Sequence, residues 1–257
     1  MIVTTAGKYD APLVEKAKKI ANELSSPFIS RKNQSLVSLQ KNYEDHVLMV
    51  GKEKLTLHPL GNQDPLFFHP NSSMFRVKRL LRGEDDPFVL AASLKKGKSV
   101  LDCTLGLASD AIVASLAVGK EGKVVGIEAN FAIGYIVKAG LETWESGSKE
   151  MDAAMRRITV VSMDHLQLLK ELDKNSYDVV YFDPMFEETI ASPGMAGLKT
   201  MAVYTPLSSE VIEEAKRVAK ERVVLKDHYK SKRFEQFGFT QIKRLSAKFH
   251  YGTIELT

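Results

Sequence analysis

Between residues 99 and 226, short apolar runs alternate with helix-patterned segments, and this rhythm constrains the fold of the 257-residue chain more than any other feature. Ser99–Asp102, Lys123–Glu128, Ile158–Val161, Tyr177–Phe182 and Arg222–Lys226 read as strands. Between them, residues 109–118 carry a small-residue face of Ala111, Ala114, Ser115 and Val118, and residues 130–144 form a second helical segment. A third is rich in leucine (166, 168, 169, 172), and the fourth, residues 208–220, is amphipathic. Strands separated by helices predict a parallel sheet covered on both faces. In residues 239–257 Thr, Ile, Phe and Tyr alternate with other residues, which predicts a closing antiparallel hairpin. The expected fold class is α/β and Rossmann-like, a mostly parallel sheet with an antiparallel C-terminal hairpin.

The front of the chain has another character. Residues 10–24 predict an amphipathic helix, with Asp10 as cap and Pro12 in the first turn. His46–Val50 and Lys54–His58, joined by Gly51-Lys52-Glu53, predict a β-hairpin. A Pro/Asn/Gly-rich stretch, 59–72, then leads into the basic segment Arg76-Val77-Lys78-Arg79-Leu80-Leu81-Arg82-Gly83. A small basic α+β domain is therefore expected over residues 1–85 and the α/β domain over 86–257. Through residue 98 there are 16 Lys+Arg against 10 Asp+Glu, and beyond it 20 against 22. A basic front attracts polyanions, so Arg76, Lys78, Arg79 and Arg82 are candidate RNA phosphate contacts.

Composition narrows the function classes. No apolar run reaches the roughly 18–20 residues of a membrane span. One cysteine, Cys103, excludes an internal disulfide and a cysteine-based zinc cluster. The histidines lack metal-ligand spacing, so no metal site is expected. The opening Met1-Ile2-Val3-Thr4-Thr5-Ala6-Gly7 has no charged and apolar regions of signal-peptide type, and a cytoplasmic protein is expected.

The chemistry concentrates at strand ends. The first strand of the α/β region runs into Asp102-Cys103-Thr104-Leu105-Gly106-Leu107-Ala108-Ser109-Asp110. A glycine turn between strand and helix lets a ligand approach unpaired backbone amides. Glu128 ends the next strand, 22 positions after Gly106, where a carboxylate can bind both ribose hydroxyls of an adenine nucleoside. Asp164 ends the third, placed to read the adenine amine, and Asp183 ends the fourth. Four acids at the carboxyl ends of consecutive parallel strands line one crevice, where such sheets bind ligands. A dinucleotide loop wants G-x-G-x-x-G, whereas this chain offers Gly106, Ala108 and Ala111. Asp102, just before the loop, would repel a pyrophosphate but suits a sulfonium cofactor with a free amino group. S-adenosylmethionine is the expected cofactor.

After the fourth strand stands Asp183-Pro184-Met185-Phe186. The Asp183 carboxylate and Pro184 carbonyl are candidate acceptors for the two hydrogens of a planar amine, and Phe186 a candidate stacking surface. All three are the expected catalytic residues. On this reading Asp183→Asn, which keeps one acceptor oxygen, retains part of the turnover that Asp183→Ala loses.

Asp102-x-Thr104-x-Gly106-Leu107-x-x-Asp110-Ala111, together with Asp183-Pro184-Met185-Phe186, resembles the RsmJ-type bacterial ribosomal RNA methyltransferases over roughly residues 98–226. The resemblance implies a class I methyltransferase domain that uses S-adenosylmethionine to methylate the exocyclic amine of a guanine in small-subunit rRNA. It also implies cofactor contacts from Ser109-Asp110, Glu128-Ala129, Asp164-His165 and Asp183, beside Asp102, Thr104, Gly106 and Ala108 of the turn. The chain departs from the family pattern at Ala108, where glycine is common, and at Ser109 and Ala129, where arginine is common. Asp164-His165 replaces a serine pair, and the loop after Phe186 holds only Lys199 before Tyr204 instead of a run of lysines.

Competing readings keep the chemistry but change the substrate to a small molecule or protein amide, or make the chain a non-catalytic RNA- or nucleotide-binding module. A nucleotide-dependent oxidoreductase is disfavoured by the glycine pattern. Cys103, inside the turn, reads as a buried small residue rather than a nucleophile. Residues 187–206 read as a long irregular segment of the kind used for lids and substrate binding.

Overall fold

In the computed structural model, which describes residues 1–7, 10–61, 64–184 and 206–256, the predicted α/β rhythm becomes one seven-stranded sheet. The chain divides into two compact units, with the change between His69 and Pro70. Met185 and Phe186, and all but the last residue of the 187–206 segment, lie outside the described residues.

In the first unit β1 (Ile2–Thr5) runs parallel to β2 (Val47–Val50), which pairs antiparallel with β3 (Leu55–His58). The predicted hairpin is β2–β3. The predicted front helix is α1 (Ala11–Glu23), where the Asp10 side chain accepts from the Leu13 amide, satisfying one orphan donor. The helix α2 (Leu36–Tyr43), capped by Ser35, and the strand β1 were not anticipated, since four apolar-to-neutral residues at a chain start carry no period.

The second unit begins with α3 (Asn71–Leu81) and α4 (Pro87–Ala91). The basic segment expected in a front domain ending at residue 85 thus belongs to the unit that carries the large sheet. The physical reason is Arg76, whose guanidinium bonds Asp86 at 2.8 Å and Asp110 at 2.5 Å within this unit. The strands are β4 (Ser99–Asp102), β5 (Lys123–Glu128), β6 (Ile158–Ser162), β7 (Tyr177–Phe182), β8 (Ala219–His228), β9 (Thr240–Ile242) and β10 (Phe249–Glu255). Their order is β6-β5-β4-β7-β8-β10-β9, parallel through β8 and antiparallel at β10 and β9. The interleaved helices are α5 (Ser109–Val118), α6 (Phe131–Thr143), α7 (Lys149–Arg156), α8 (His165–Glu171) and α9 (Ser209–Val218), with α10 (Arg233–Gln236) after β8.

Alternation along the strands explains the layers. Leu101, Val125, Ile127, Val180, Phe182, Val223 and Leu225 face one way and pack on Val211, Ile212, Ala215 and Val218 of α9 and Leu169 of α8. On the other face Tyr181 packs against Phe88 of α4, ring centroids 4.4 Å apart. No helix among the described residues is long and apolar enough to cross a membrane. The chain runs outward from β4 to β5 and β6, then returns to the other side of β4 with β7. That reversal opens a crevice at the carboxyl ends of β4 and β7, where open α/β sheets bind ligands.

Candidate active site

Register brings the expected residues to one edge. Asp102 closes β4 opposite Tyr181 of β7, and Glu128 closes β5 beside Ser162 of β6. The turn after β4 is stitched to its neighbours. The Thr104 amide donates to Asp102 Oδ1 at 3.0 Å, and Thr104 Oγ1 accepts from the Asp183 amide at 2.6 Å. One hydroxyl therefore joins the turn to the end of β7. The Glu128 carboxylate accepts from the Asn130 amide at 2.9 Å and from the backbone of Gly106, which joins the turn to β5.

Gly106 has φ 49° and Ala108 φ 61°, both in the left-handed region. A Cβ at Gly106 would meet nothing closer than the Thr104 carbonyl at 3.9 Å, so the turn offers bare backbone to open space. Ala108, by contrast, is fully buried and holds a conformation that costs a non-glycine residue roughly 1–2 kcal/mol. Its buried methyl offsets about 0.8 kcal/mol of that cost. The alanine where glycine is common therefore leaves the turn formed.

The acids at the strand ends differ sharply in environment. Burial pushes Asp102 up to about 8, with Asp110 and Asp183 adding to the rise. Burial likewise raises Glu128 above its ordinary value. Burial alone would raise Asp110, but Lys226 and Arg76 hold it well below the usual carboxylate range. Its oxygens accept from Arg76 Nη1, the Tyr181 hydroxyl at 3.0 Å and Lys226 Nζ at 3.0 Å. The carboxylate expected at the cofactor is thus engaged by internal partners and ties α3, α5, β7 and β8 together. Lys226 Nζ also lies 2.6 Å from Asp183 Oδ2. Burial lifts Asp183 to about 6 against the pull of Lys226.

Asp164 caps α8, its Oδ1 accepting from the Leu166 and Gln167 amides. His165 is buried edge-on to Phe182, its Nε2 without a hydrogen-bond partner among the described residues, and burial lowers its basicity. Ser109 opens α5, and Ala129 follows Glu128 at the carboxyl edge. Pro184 follows Asp183 and is half-buried. Cys103 is buried and its thiol pushed up by burial, as expected of a packing residue.

Arg76, a candidate phosphate contact, is committed to Asp86 and Asp110, with its side chain 22% exposed. Arg79 and Arg82 share Glu84, and Lys78 is exposed. Sequence reasoning read Lys226 as the end of a strand and did not anticipate its pairing with Asp110 and Asp183. The available signal was a lysine ending the apolar run Val223-Val224-Leu225, at the edge where carboxylates gather.

The residues fit a cationic nucleoside cofactor. The turn is bare, Glu128 is fixed at the distance of one strand, and Asp102 is a buried acid with no cation within hydrogen-bonding reach among the described residues. Two measurements follow. Glu128→Ala is expected to weaken S-adenosylmethionine binding by about 1.5–3 kcal/mol, the range for hydrogen bonds to a charged group. Titration calorimetry reads this, and an unchanged affinity would remove Glu128 from the ribose. Because Asp102 is neutral below about 8, a cationic amino group beside it favours ionisation, so binding near neutral pH is expected to release about one proton. Observed heats should then differ between buffers of unlike ionisation enthalpy, and equal heats would detach Asp102 from the cofactor.

Comparison with known proteins agrees with this geometry. A family model described as "Putative SAM-dependent methyltransferase" matches residues 31–249. The chain is 48% identical to the "Uncharacterized protein YpiP" of Bacillus subtilis (strain 168), over 99% of each chain. It is 26% identical to ribosomal RNA small subunit methyltransferase J of Coxiella burnetii (strain RSA 331 / Henzerling II), over 87% of this chain and 86% of that one. A crystal structure of a SAM-dependent methyltransferase from Neisseria gonorrhoeae shares the fold, with TM-score 0.64 and 15% identity over 99% of this chain and 96% of that one.

Proposed function

From the premise that the chain belongs to the SAM-dependent methyltransferase family, we propose that it methylates an exocyclic amine of RNA, with guanine N2 in small-subunit rRNA as the target. The observation that carries the reading is the fixed Asp183-Pro184 pair at the end of β7, beside the cofactor turn. The similarity to ribosomal RNA small subunit methyltransferase J supports the substrate class. A cytoplasmic site of action follows from that substrate.

When bound, S-adenosylmethionine supplies an electrophilic methyl group on a sulfonium centre. The bare turn around Gly106 would receive it, Glu128 would hold the ribose, and Asp102 would meet the amino group. Asp164 and His165 would read the adenine edge, with Ser109 and Ala129 beside it. Asp110 works from behind the site, holding Lys226, which in turn holds Asp183 Oδ2. With that oxygen taken, Asp183 Oδ1 and the Pro184 carbonyl accept the two amine hydrogens. An aryl amine is a poor nucleophile because its lone pair is delocalised into the ring. Two acceptors in fixed positions orient the nitrogen and favour pyramidalisation, and positioning of this kind lowers a barrier by about 7–11 kcal/mol at most. Phe186 is proposed to stack on the guanine, which must first leave its helix or be presented in a loop.

The test is chemical. Small-subunit rRNA from a deletion strain is expected to lack one N2-methylguanosine present in the parent, by nuclease mapping and mass spectrometry, and purified protein should restore it. Identical modification maps would return the substrate to a small molecule or a protein amide.

A further inference from the structure

We infer that nucleic acid docks on the outer ends of β8 and β10, a basic and aromatic surface contiguous with Asp183, and not on α3. The inference rests on the RNA reading above and names the surface that serves the same site. Residues 226–250 hold seven Lys+Arg against two Asp+Glu, a balance of +5 where the whole chain carries +4. The fold gathers this charge at the carboxyl edge of the sheet. Phe182 of β7 stands opposite Leu225 of β8, so Lys226 comes level with Asp183, and the strand continues outward to His228. Phe249 and His250 of β10 pair with His228 and Asp227. The connections 229–232 and 243–248 therefore emerge side by side on the edge where the acceptor amine must arrive. At about 3.3 Å per residue, Tyr229 lies roughly 10 Å beyond Lys226.

The contents of these two segments suit a polyanion with aromatic bases. Lys230, Lys232, Lys243 and Lys248 are exposed, and none is paired with a carboxylate among the described residues. On and just after α3, Arg79 and Arg82 share Glu84, and Arg76 is consumed in the interior. The Tyr229 ring is 44% exposed although its backbone is fixed on both sides. Its amide donates to the Lys248 carbonyl at 3.1 Å, and its carbonyl accepts from Gln241 Nε2 at 2.9 Å. A ring presented on an immobile backbone can stack on a base at little cost in ordering. A continuous path of contacts leads inward. Arg244 and Lys226 each lie 5.0 Å from the Phe249 ring, and Lys226 reaches Asp183 at 2.6 Å. Solubilising lysines alone would not require an exposed ring, the absence of balancing acids and adjacency to the acceptor pair together. Buried Arg233, held by Asp227, is structural in this scheme.

Binding of a labelled single-stranded RNA oligonucleotide, of naked small-subunit rRNA and of assembled small subunits is measured against salt, with S-adenosylmethionine affinity as the control for folding. Parent protein is expected to show a steep salt dependence. The variant K230Q/K232Q/K243Q/K248Q should lose at least tenfold in affinity, with a slope shallower by about 3, at about 0.7 to 0.9 per lost phosphate contact. Tyr229→Ala should weaken oligonucleotide binding about tenfold with the slope unchanged, the signature of stacking. K78Q/R79Q/R82Q should leave the slope at the parental value. A four-lysine variant with the parental slope, or a larger loss from the α3 variant, overturns the assignment. Loss of binding to assembled subunits alone, with naked rRNA bound as before, overturns it in favour of an acidic protein partner. A parent that binds S-adenosylmethionine but neither RNA sinks the RNA reading itself.

Discussion

Asp183→Ala is expected to lower single-turnover methyl transfer to rRNA by about 10²- to 10³-fold at saturating cofactor, the scale of losing one preorganised group at a reacting centre. The structure changes the companion expectation for Asp183→Asn. Lys226 Nζ carries only donors and sits 2.6 Å from Asp183 Oδ2, so it will claim the single amide oxygen. The amide NH₂ is then turned toward the incoming amine, donor against donor. Asn is therefore expected to perform nearly as poorly as Ala, against the sequence-based expectation of partial retention. The pH profile gives an independent check. An acceptor must be ionised, and burial places Asp183 at about 6, so the parental rate should fall as pH drops below about 6. That acidic limb should be missing from both variants. Methyl transfer at the parental rate by Asp183→Ala would return the Asp183-Pro184 turn to a structural role.

Arg76→Ala is expected to cost about 3–5 kcal/mol of stability, because it leaves buried Asp86 without its cation and buried Asp110 with Lys226 alone. Asp86 is 3% exposed and Asp110 is 6% exposed, so water cannot replace the guanidinium. For a chain of this size the loss corresponds to a fall in Tm of roughly 10 °C. Arg76→Lys should recover only part, since one ammonium cannot reproduce the fork that bridges Asp86 and Asp110. The pH dependence has a definite sign. In the parent both carboxylates have depressed values, so their contribution is present above the ordinary carboxylate range and is lost as pH falls through the folded values. In the variant Asp86 is buried and unpaired and Asp110 keeps only Lys226, so both values rise, and protonation relieves Asp86 first. The gap in Tm should be full at neutral pH and narrow as pH falls toward about 4. A gap that is constant with pH would mean that Arg76 acts through packing and not through charge.

The two effects share one physical origin, a chain of alternating charges from Asp86 through Arg76, Asp110 and Lys226 to Asp183. Asp183 ends that chain at the carboxyl edge of the sheet. A loss at Arg76 should therefore reach the proposed acceptor as well as the fold.

How much of this was legible in the sequence depends on range. Periodicity located all five parallel strands, because the interior ones, covered on both faces, are largely apolar with ends marked by polar residues, while the edge strand β6 shows as the β-branched run Ile158-Thr159-Val160-Val161. The same logic found Asp102, Glu128 and Asp183, since an acid that closes or directly follows such a run lies at the sheet's carboxyl edge, whereas Asp164, two positions past β6, caps α8. The glycine turn was legible because it needs a residue type, although the left-handed φ of Ala108 was not. Pairings across long separations were invisible. Asp110 lies 34 positions from Arg76 and 116 from Lys226, and no local pattern distinguishes these cations from exposed ones. In a run such as Arg76-Val77-Lys78-Arg79, a helix decides which basic side chain turns inward, and the carboxylates it meets decide whether it stays charged there. Local composition thus determined the architecture and the acids near the carboxyl edge of the sheet. Only the tertiary structure decided which of those acids burial raises, which are paired and that Asp183 is held by Lys226, because burial and partner distance are properties of the folded chain alone.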